Sequence, residues 1–285
     1  MKNELKLINT DAALIELCIE FEDASWIALD TEFERVNTYY PELCLLQLSN
    51  GNKVGMVDPL ADIDLEPVYQ LLYDKSRTKV FHAARQDLEL FYHLKGCLPV
   101  PLFDTQIAAT LLGYDSQIGY ANLVKEVLDI ELSKTESRTN WKRRPLSDNQ
   151  LMYAADDVIY LAKIYEEFLA KLNASGQFSL LDEEFNALTR PALYDPEPGV
   201  MWKKIKSSKK LTGDPLEYLK KLAAWRELTA RDENQPRKWV LSDHVLVELS
   251  KNKPLNMHEL SNVNGINNNI LNRHGAVLLD ILTNS

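Results

Sequence analysis

Asp30 and Glu32 close the apolar run Trp26-Ile27-Ala28-Leu29. Residues two apart in a strand point to one face, so this spacing aims two carboxylates at a common point. Asp87, in His82-Ala83-Ala84-Arg85-Gln86-Asp87, and Asp157, in Tyr153-Ala154-Ala155-Asp156-Asp157, are the acids expected to join them. Carboxylates converging from different elements can hold two divalent cations about 4 Å apart, the arrangement that activates water for phosphodiester hydrolysis and steadies the leaving 3′ oxygen. Oxygen donors with no His or Cys cluster favour Mg²⁺ or Mn²⁺ and argue against zinc. Tyr153 and Asp157 stand at i and i+4 of a helix and share a face, which places the Tyr153 hydroxyl where it could orient the attacking water. A phenol with an ordinary pKa near 10 suits that role better than full general-base action.

Each feature alone has a plainer reading. An Asp at a strand end often caps the next turn, and an Asp-x-Glu triplet is common. Asp87 suits the first turn of any helix through the macrodipole. A tyrosine four residues before an acid is often a core aromatic beside a solvated carboxylate. Asp156 also competes with Asp157, because i+3 and i+4 lie on neighbouring strips of a helix. The occurrence of all of them in this order is what favours a site.

The elements that must position these side chains follow from the apolar periodicity. The first 170 residues or so alternate strand-like and helix-like runs, the pattern of an α/β domain. Leu5 to Ile8, Trp26 to Glu32, Leu43 to Leu48, Lys53 to Val57 and Lys79 to Phe81 read as strands, with the second to fourth forming an antiparallel meander. Asp11 to Phe21, Leu65 to Tyr73, Asp87 to Leu94, Phe103 to Leu112 and Tyr120 to Leu128 read as helices. A long helix carries Tyr153 and Asp157 from Ser147 to about Leu172, opened by a Ser147/Gln150 capping box. Prolines 191, 196 and 198 with Gly199 then break the periodicity, and Lys203, Lys204, Lys206, Lys209 and Lys210 form a basic run. The expected organisation is a catalytic domain over 1–190, a linker over 191–210 and a small helical bundle over 211–285.

Composition narrows the class. A chain of 285 residues can bury a full core, and no apolar stretch is long enough to cross a membrane. With no signal-peptide pattern at its start, the chain reads as cytoplasmic. Three cysteines, far apart and in no CxxC pair, exclude a disulfide framework and a structural zinc, and read as buried small hydrophobes. The net charge of −10 hides an asymmetry: residues 1–200 hold 18 basic and 33 acidic side chains, a net −15, against 14 and 9 in residues 201–285, a net +5. An acidic body able to hold cations, joined to a basic module able to hold a polyanion, fits a nuclease.

Together, Asp30-Thr31-Glu32-Phe33, His82 to Asp87 and Tyr153 to Asp157 resemble the three exonuclease motifs of the DEDD superfamily. The branch is the tyrosine one, since Met152 stands where the sister branch has His. Tyr39-Tyr40-Pro41, Leu43-Cys44-Leu45-Leu46-Gln47-Leu48, Phe103-Asp104-Thr105-Gln106, Trp141 and Arg144-Pro145-Leu146 are similar to ribonuclease D. Leu222 to Glu227, Val240 to Asp243, Lys253-Pro254 and Gly265 are similar to the helicase and RNase D C-terminal (HRDC) domain. The resemblance implies an RNase H-like mixed-sheet 3′→5′ exonuclease domain followed by an all-α HRDC bundle. It further implies metal ligation by Asp30, Glu32, Asp87 and Asp157, with Tyr153 as the fifth catalytic residue. The implied substrates are tRNA precursors and other structured RNA with a free 3′ end, cut to 5′-mononucleotides. Two departures stand out: one helical module is legible where these proteins often carry two, and Lys253 stands where Arg is usual.

Candidate substrate contacts are Arg138, Trp141 and Arg144 just ahead of the long helix, where phosphate-binding charge flanks a stacking surface. The competing readings are a DNA 3′→5′ exonuclease with the same chemistry, and a catalytically silent RNA-binding protein. The latter needs a missing carboxylate or tyrosine, and none is missing.

Overall fold

The protein is described by a computed structural model that covers residues 5–133, 136 and 139–283, so Arg138 lies outside the described residues. The chain forms two compact units, Met1–Glu34 with Glu42–Tyr194, and Arg35–Pro41 with Asp195–Ser285.

The first unit runs β1 (Leu7–Ile8), α1 (Asp11–Glu20), β2 (Trp26–Glu34), β3 (Glu42–Ser49), β4 (Val54–Val57), α2 (Glu66–Tyr73), β5 (Thr78–Phe81), α3 (Arg85–Lys95), β6 (Leu102–Asp104), α4 (Thr105–Leu111), α5 (Tyr120–Leu128), α6 (Asp148–Ser175) and α7 (Asp182–Leu188). The strands form one mixed sheet in the order β1-β4-β3-β2-β5-β6. The meander β2-β3-β4 is antiparallel, while β1 pairs parallel to β4, β5 to β2 and β6 to β5. Every residue of β3 after Glu42 is buried, which explains why its sequence is a nearly continuous apolar run and not an alternation. The main core gathers Leu14 and Phe21 around α1, Leu72 of α2, Leu88 and Phe91 of α3 and Phe168 of α6. A second packed group joins Leu45 and Met56 of the sheet to Ala154 and Ala155 of α6, with Trp141 and Leu146.

Residues 103–112, read as one helix, divide into β6 and α4. A short apolar run does not by itself distinguish strand from helix. The Asp104 carboxylate decides the boundary by accepting from the backbone N–H of Gln106 at 2.8 Å and of Ile107 at 3.4 Å, an N-cap that starts α4 just after it. The capping box of α6 is present, with Ser147 and Gln150 each accepting from the other's backbone N–H. The cysteines are free; Cys44 is buried as expected, whereas Cys18 is half-buried and Cys97, in the turn after Gly96 that ends α3, is exposed. None of the described helices is long and apolar enough to cross a membrane.

The stretch 191–210 carries 3-10 turns at Pro191–Leu193, Pro198–Lys204 and Lys206–Lys210. Met201, Ile205 and Ser208 within it are buried. The second unit continues through α8 (Asp214–Asp232), α9 (Arg237–Val240), α10 (Asp243–Asn252), α11 (Met257–Ser261) and α12 (Asn268–Thr283). Its core is Leu219, Leu222, Leu246, Leu249, Leu260, Leu278 and Leu282. Glu227 of α8 is 0% exposed and receives hydrogen bonds from the Tyr39 hydroxyl and from the guanidinium groups of Arg231 and Arg237.

Candidate active site

Strand β2 supplies the first two carboxylates. Its registers Asp30↔Gln47 and Glu32↔Leu45 put both acids on the face covered by α6, and a bulge between Glu32 and Phe33 breaks the ladder just beyond them. Asp157 reaches the same point from further along α6. One oxygen from each of Asp30, Glu32 and Asp157 lies within 4.8 Å of the others. These three side chains line a cavity of about 310 Å³ together with His82, Gln86, Tyr120 and Tyr153. Asp156 does not enter that cavity; it lines an adjoining one of about 560 Å³ that also takes in Asn122, Asn149 and Met152. Of the two competing acids, Asp157 is therefore the one that meets Asp30 and Glu32.

Asp87 neighbours the trio closely enough for its charge to act on Asp30 and Glu32, but its oxygens are not among those that lie within 4.8 Å of one another. It is buried in the first turn of α3, where its Oδ1 accepts from the Thr31 hydroxyl at 2.5 Å. The strand alternation explains the pairing: Thr31 points to the opposite face from Asp30 and Glu32. The turn that leads into α3 is itself fixed. Ala83 adopts φ 57°, a left-handed conformation costly for a residue with a Cβ, while the Asp104 carboxylate accepts from the backbone N–H of Ala83 at 3.1 Å and Ala84 at 2.8 Å. His82 is spanned between Thr105 Oγ1 at 3.0 Å and the Ile118 carbonyl at 3.1 Å. Since a carbonyl only accepts, Nε2 carries the proton toward Ile118, and burial holds the ring neutral by lowering its pKa.

Two aromatic residues frame the trio. Tyr153 packs against Trp141 with ring centroids 6.2 Å apart, and burial together with the charges of Asp157, Glu32 and Asp30 pushes its hydroxyl pKa upward. Tyr153 therefore keeps its proton at neutral pH. Tyr120, at the start of α5, donates its hydroxyl to the backbone carbonyls of Asp157 at 2.6 Å and Asp156 at 3.1 Å. That bond fastens α5 to the turn of α6 that bears the third carboxylate.

The electrostatics of the four acids all run one way. Burial, followed by the neighbouring charges of Asp157 and Asp87, pushes Glu32 up to about 8. Burial and then Asp156 push Asp157 up to about 7, and Asp30 rises well above the carboxylate range through burial and the charges of Asp157, Asp87 and Glu32. Asp87 rises to about 6 by burial, moderated by the Thr31 hydrogen bond. Among the described residues no ion pair joins a basic side chain to any of the four. Clustered anionic oxygens without a protein cation fit a hard divalent cation, and the donor set is of the kind that holds Mg²⁺ or Mn²⁺.

The other expected contacts are committed elsewhere. The Arg144 guanidinium clasps Asp58 through Nε at 2.7 Å and Nη2 at 2.6 Å, and also donates to the carbonyls of Cys44 and Trp141. With its donors directed inward, Arg144 ties the approach to α6 onto β3. Trp141 is 2% exposed and backs the Tyr153 ring, so it offers no face for a base to stack on. Thr31 and Tyr120 carried no chemical signal in the sequence: one is the alternate residue of a motif read for its acids, the other a single tyrosine at a helix start.

Comparison with known proteins adds an independent line. The profile of a 3′-5′ exonuclease family matches residues 5–173, and that of the HRDC domain matches residues 216–282. The chain is 40% identical over 262 residues to the ribonuclease D of Sphingobium indicum, covering 91% of this chain and 67% of that protein. Its structure is similar to that of Escherichia coli RNase D, described as an exoribonuclease involved in structured RNA processing. The TM-score is 0.89 and the identity 36%, over 98% of this chain and 74% of that one. It is also similar to Brucella melitensis NrnC with bound Mg²⁺, with a TM-score of 0.51 and 30% identity over 61% of this chain and 85% of that one.

Proposed function

Since the chain belongs to the ribonuclease D family and is a metal-dependent 3′→5′ exoribonuclease, we propose that Asp30, Glu32, Asp87 and Asp157 hold its metal and that its substrates are tRNA precursors and other structured RNA with a free 3′ end. The observation that carries this reading is the convergence of the Asp30, Glu32 and Asp157 oxygens within 4.8 Å in a cavity that Tyr153 also lines. Two divalent cations, Mg²⁺ or Mn²⁺, would supply the Lewis acidity that polarises the scissile phosphate and lowers the pKa of water.

The protein's own groups do the rest. Asp30, Glu32 and Asp157 present anionic oxygens from two elements whose relative position is fixed by the sheet register, by the packing of α6 and by Tyr120. Asp87 has Oδ2 to offer, because Oδ1 is engaged by Thr31. The protonated Tyr153 hydroxyl orients the attacking water as a hydrogen-bond partner, and the buried Trp141 ring keeps Tyr153 from swinging away. Attack on the terminal phosphodiester breaks its bond to the 3′ oxygen of the preceding nucleotide and releases a 5′-mononucleotide.

The test is a time course on matched RNA and DNA, including a tRNA precursor with a 3′ trailer, with Mg²⁺ and with EDTA. The expected result is stepwise shortening of the RNA from its 3′ end, release of 5′-mononucleotides, slower action on DNA and arrest by EDTA. Internal cuts, or DNA degraded faster than RNA, would overturn the substrate assignment.

A further inference from the structure

Gln47 lies in the middle strand of the meander, paired with Asp30 on one side and Met56 on the other. Residues paired across neighbouring strands project from the same face with Cβ atoms about 5 Å apart. The Gln47 side chain therefore shares with Asp30 and Glu32 the face that α6 covers. It is 0% exposed, and among the described residues neither its amide nitrogen nor its amide oxygen has a hydrogen-bond partner. The surrounding packed group, Leu45, Met56, Ala154 and Ala155, is apolar. A buried amide left unpaired destabilises a fold, whereas methionine would fill the same length with no polar atom to satisfy.

We propose that Gln47 is a positioning residue for Asp30: when the site holds its divalent cation, Gln47 Nε2–H donates to the Asp30 carboxylate oxygen turned away from the cation and fixes which oxygen faces it. This rests on the reading of Asp30 as a metal-holding group. The geometry suits the task. One Asp30 oxygen already meets Glu32 and Asp157 at the cluster, and the cross-strand register roots the Gln47 side chain opposite Asp30, with Cβ atoms about 5 Å apart. A ligating carboxylate is ordinarily oriented by such an outer hydrogen bond, and its loss costs roughly 10- to 100-fold in metal affinity or activity.

The test uses the unaltered chain with its glutamine side chains labelled with ¹⁵N, titrated with Mg²⁺, alongside Gln47→Met. In the unaltered protein the Gln47 side-chain amide protons should move downfield as Mg²⁺ binds. In Gln47→Met the metal-free protein should melt at a higher temperature, because the orphaned amide is gone. The same variant should bind Mg²⁺ about tenfold or more weakly by calorimetry, with kcat reduced and KM little changed. A purely structural amide would not give a more stable protein with weaker Mg²⁺ binding. Unmoved Gln47 signals while Mg²⁺ binds, or a methionine variant with unaltered Mg²⁺ affinity, would overturn the inference and leave the metal reading standing. Should the variant fail to fold, the titration of the unaltered chain decides alone. Absence of Mg²⁺ binding to the unaltered protein would remove the metal reading and this inference with it.

Discussion

Glu227 in the helical unit and the trio Asp30, Glu32 and Asp157 in the α/β unit are all carboxylates drawn out of bulk water, and they differ in what answers their charge. Burial alone would raise the Glu227 pKa, but hydrogen bonds from Arg237 and Tyr39 and the charges of Arg237 and Arg231 outweigh it and hold the group below its ordinary 4.5. Among the described residues no ion pair answers the trio, and every member is pushed upward. The chain pairs one buried glutamate with two arginines and a tyrosine, while among the described residues no ion pair joins a basic side chain to the three carboxylates of the trio. On the proposed reading, the difference separates an acid whose partner is part of the fold from acids whose partner is a bound cation.

The sharpest way to break that comparison is to neutralise each side. Glu227→Gln should destabilise the protein by roughly 1 to 3 kcal/mol, since it takes the buried counter-charge from the half-buried Arg231 and Arg237. Asp30→Asn should do the opposite and raise the melting temperature of the metal-free protein. Equal destabilisation by both, in a thermal or denaturant melt, would erase the distinction.

Activity sharpens it from the other direction. Asp30→Asn and Asp157→Asn should each lower kcat by about 100-fold or more, the scale of losing one group that stabilises developing charge, while RNA binding survives. Asp156→Asn should be mild, and the reverse ranking would assign the wrong acid. Tyr153→Phe keeps the ring against Trp141 and should lower kcat, by roughly tenfold or more, with little change in KM. An unchanged kcat would reduce Tyr153 to a packing residue.

Stability against pH offers a smaller effect of definite sign. Asp87, Asp157 and Glu32 have folded pKa values of about 6, 7 and 8, all above their ordinary 3.8 to 4.5. The folded state therefore binds more protons in that window, and stability falls as the pH rises through it. Metal-free protein should lose several degrees of melting temperature between about pH 5 and pH 8, and saturating Mg²⁺ should flatten the slope. Glu227 works the other way: its depressed pKa contributes stability above the unfolded value, lost as the pH falls through the folded one. A metal-free melting temperature that climbs from pH 5 to 8 would contradict the account of the trio.

The smallest effect concerns the basic residues 201–285, with their net +5. Replacing Lys206, Lys209 and Lys210 by Gln should weaken binding of single-stranded RNA and make the slope of log K against log salt shallower by about 0.7 for each phosphate no longer neutralised. An unchanged slope would point to a protein-binding role for that run.

What could be read from the chain follows the physics of each signal. Strand β2 and helix α6 were legible because long periodic segments and a capping box are local, and their acids follow from fixed spacings on those elements. The split of 103–112 was hidden because the Asp104 cap acts only once its carboxylate also anchors Ala83 and Ala84, some 20 residues away in sequence. Thr31 and Tyr120 were missed for a related reason. A hydroxyl acquires its role from a partner 56 residues off, as Thr31 does with Asp87, or 37 off, as Tyr120 does with Asp157, and sequence spacing says nothing of such pairs. Arg144 and Trp141 misled because charge beside an aromatic reads alike whether it faces RNA or clasps Asp58.

The central claim is that a divalent cation is the missing partner of the trio, and Mg²⁺ calorimetry on three otherwise identical proteins tests it most directly. The unaltered chain and Glu227→Gln should both give saturable Mg²⁺ binding, and Asp157→Asn should give binding weakened by tenfold or more. Equal Mg²⁺ binding by Asp157→Asn and the unaltered chain would show that the cation lodges elsewhere and that it is not the partner of the trio.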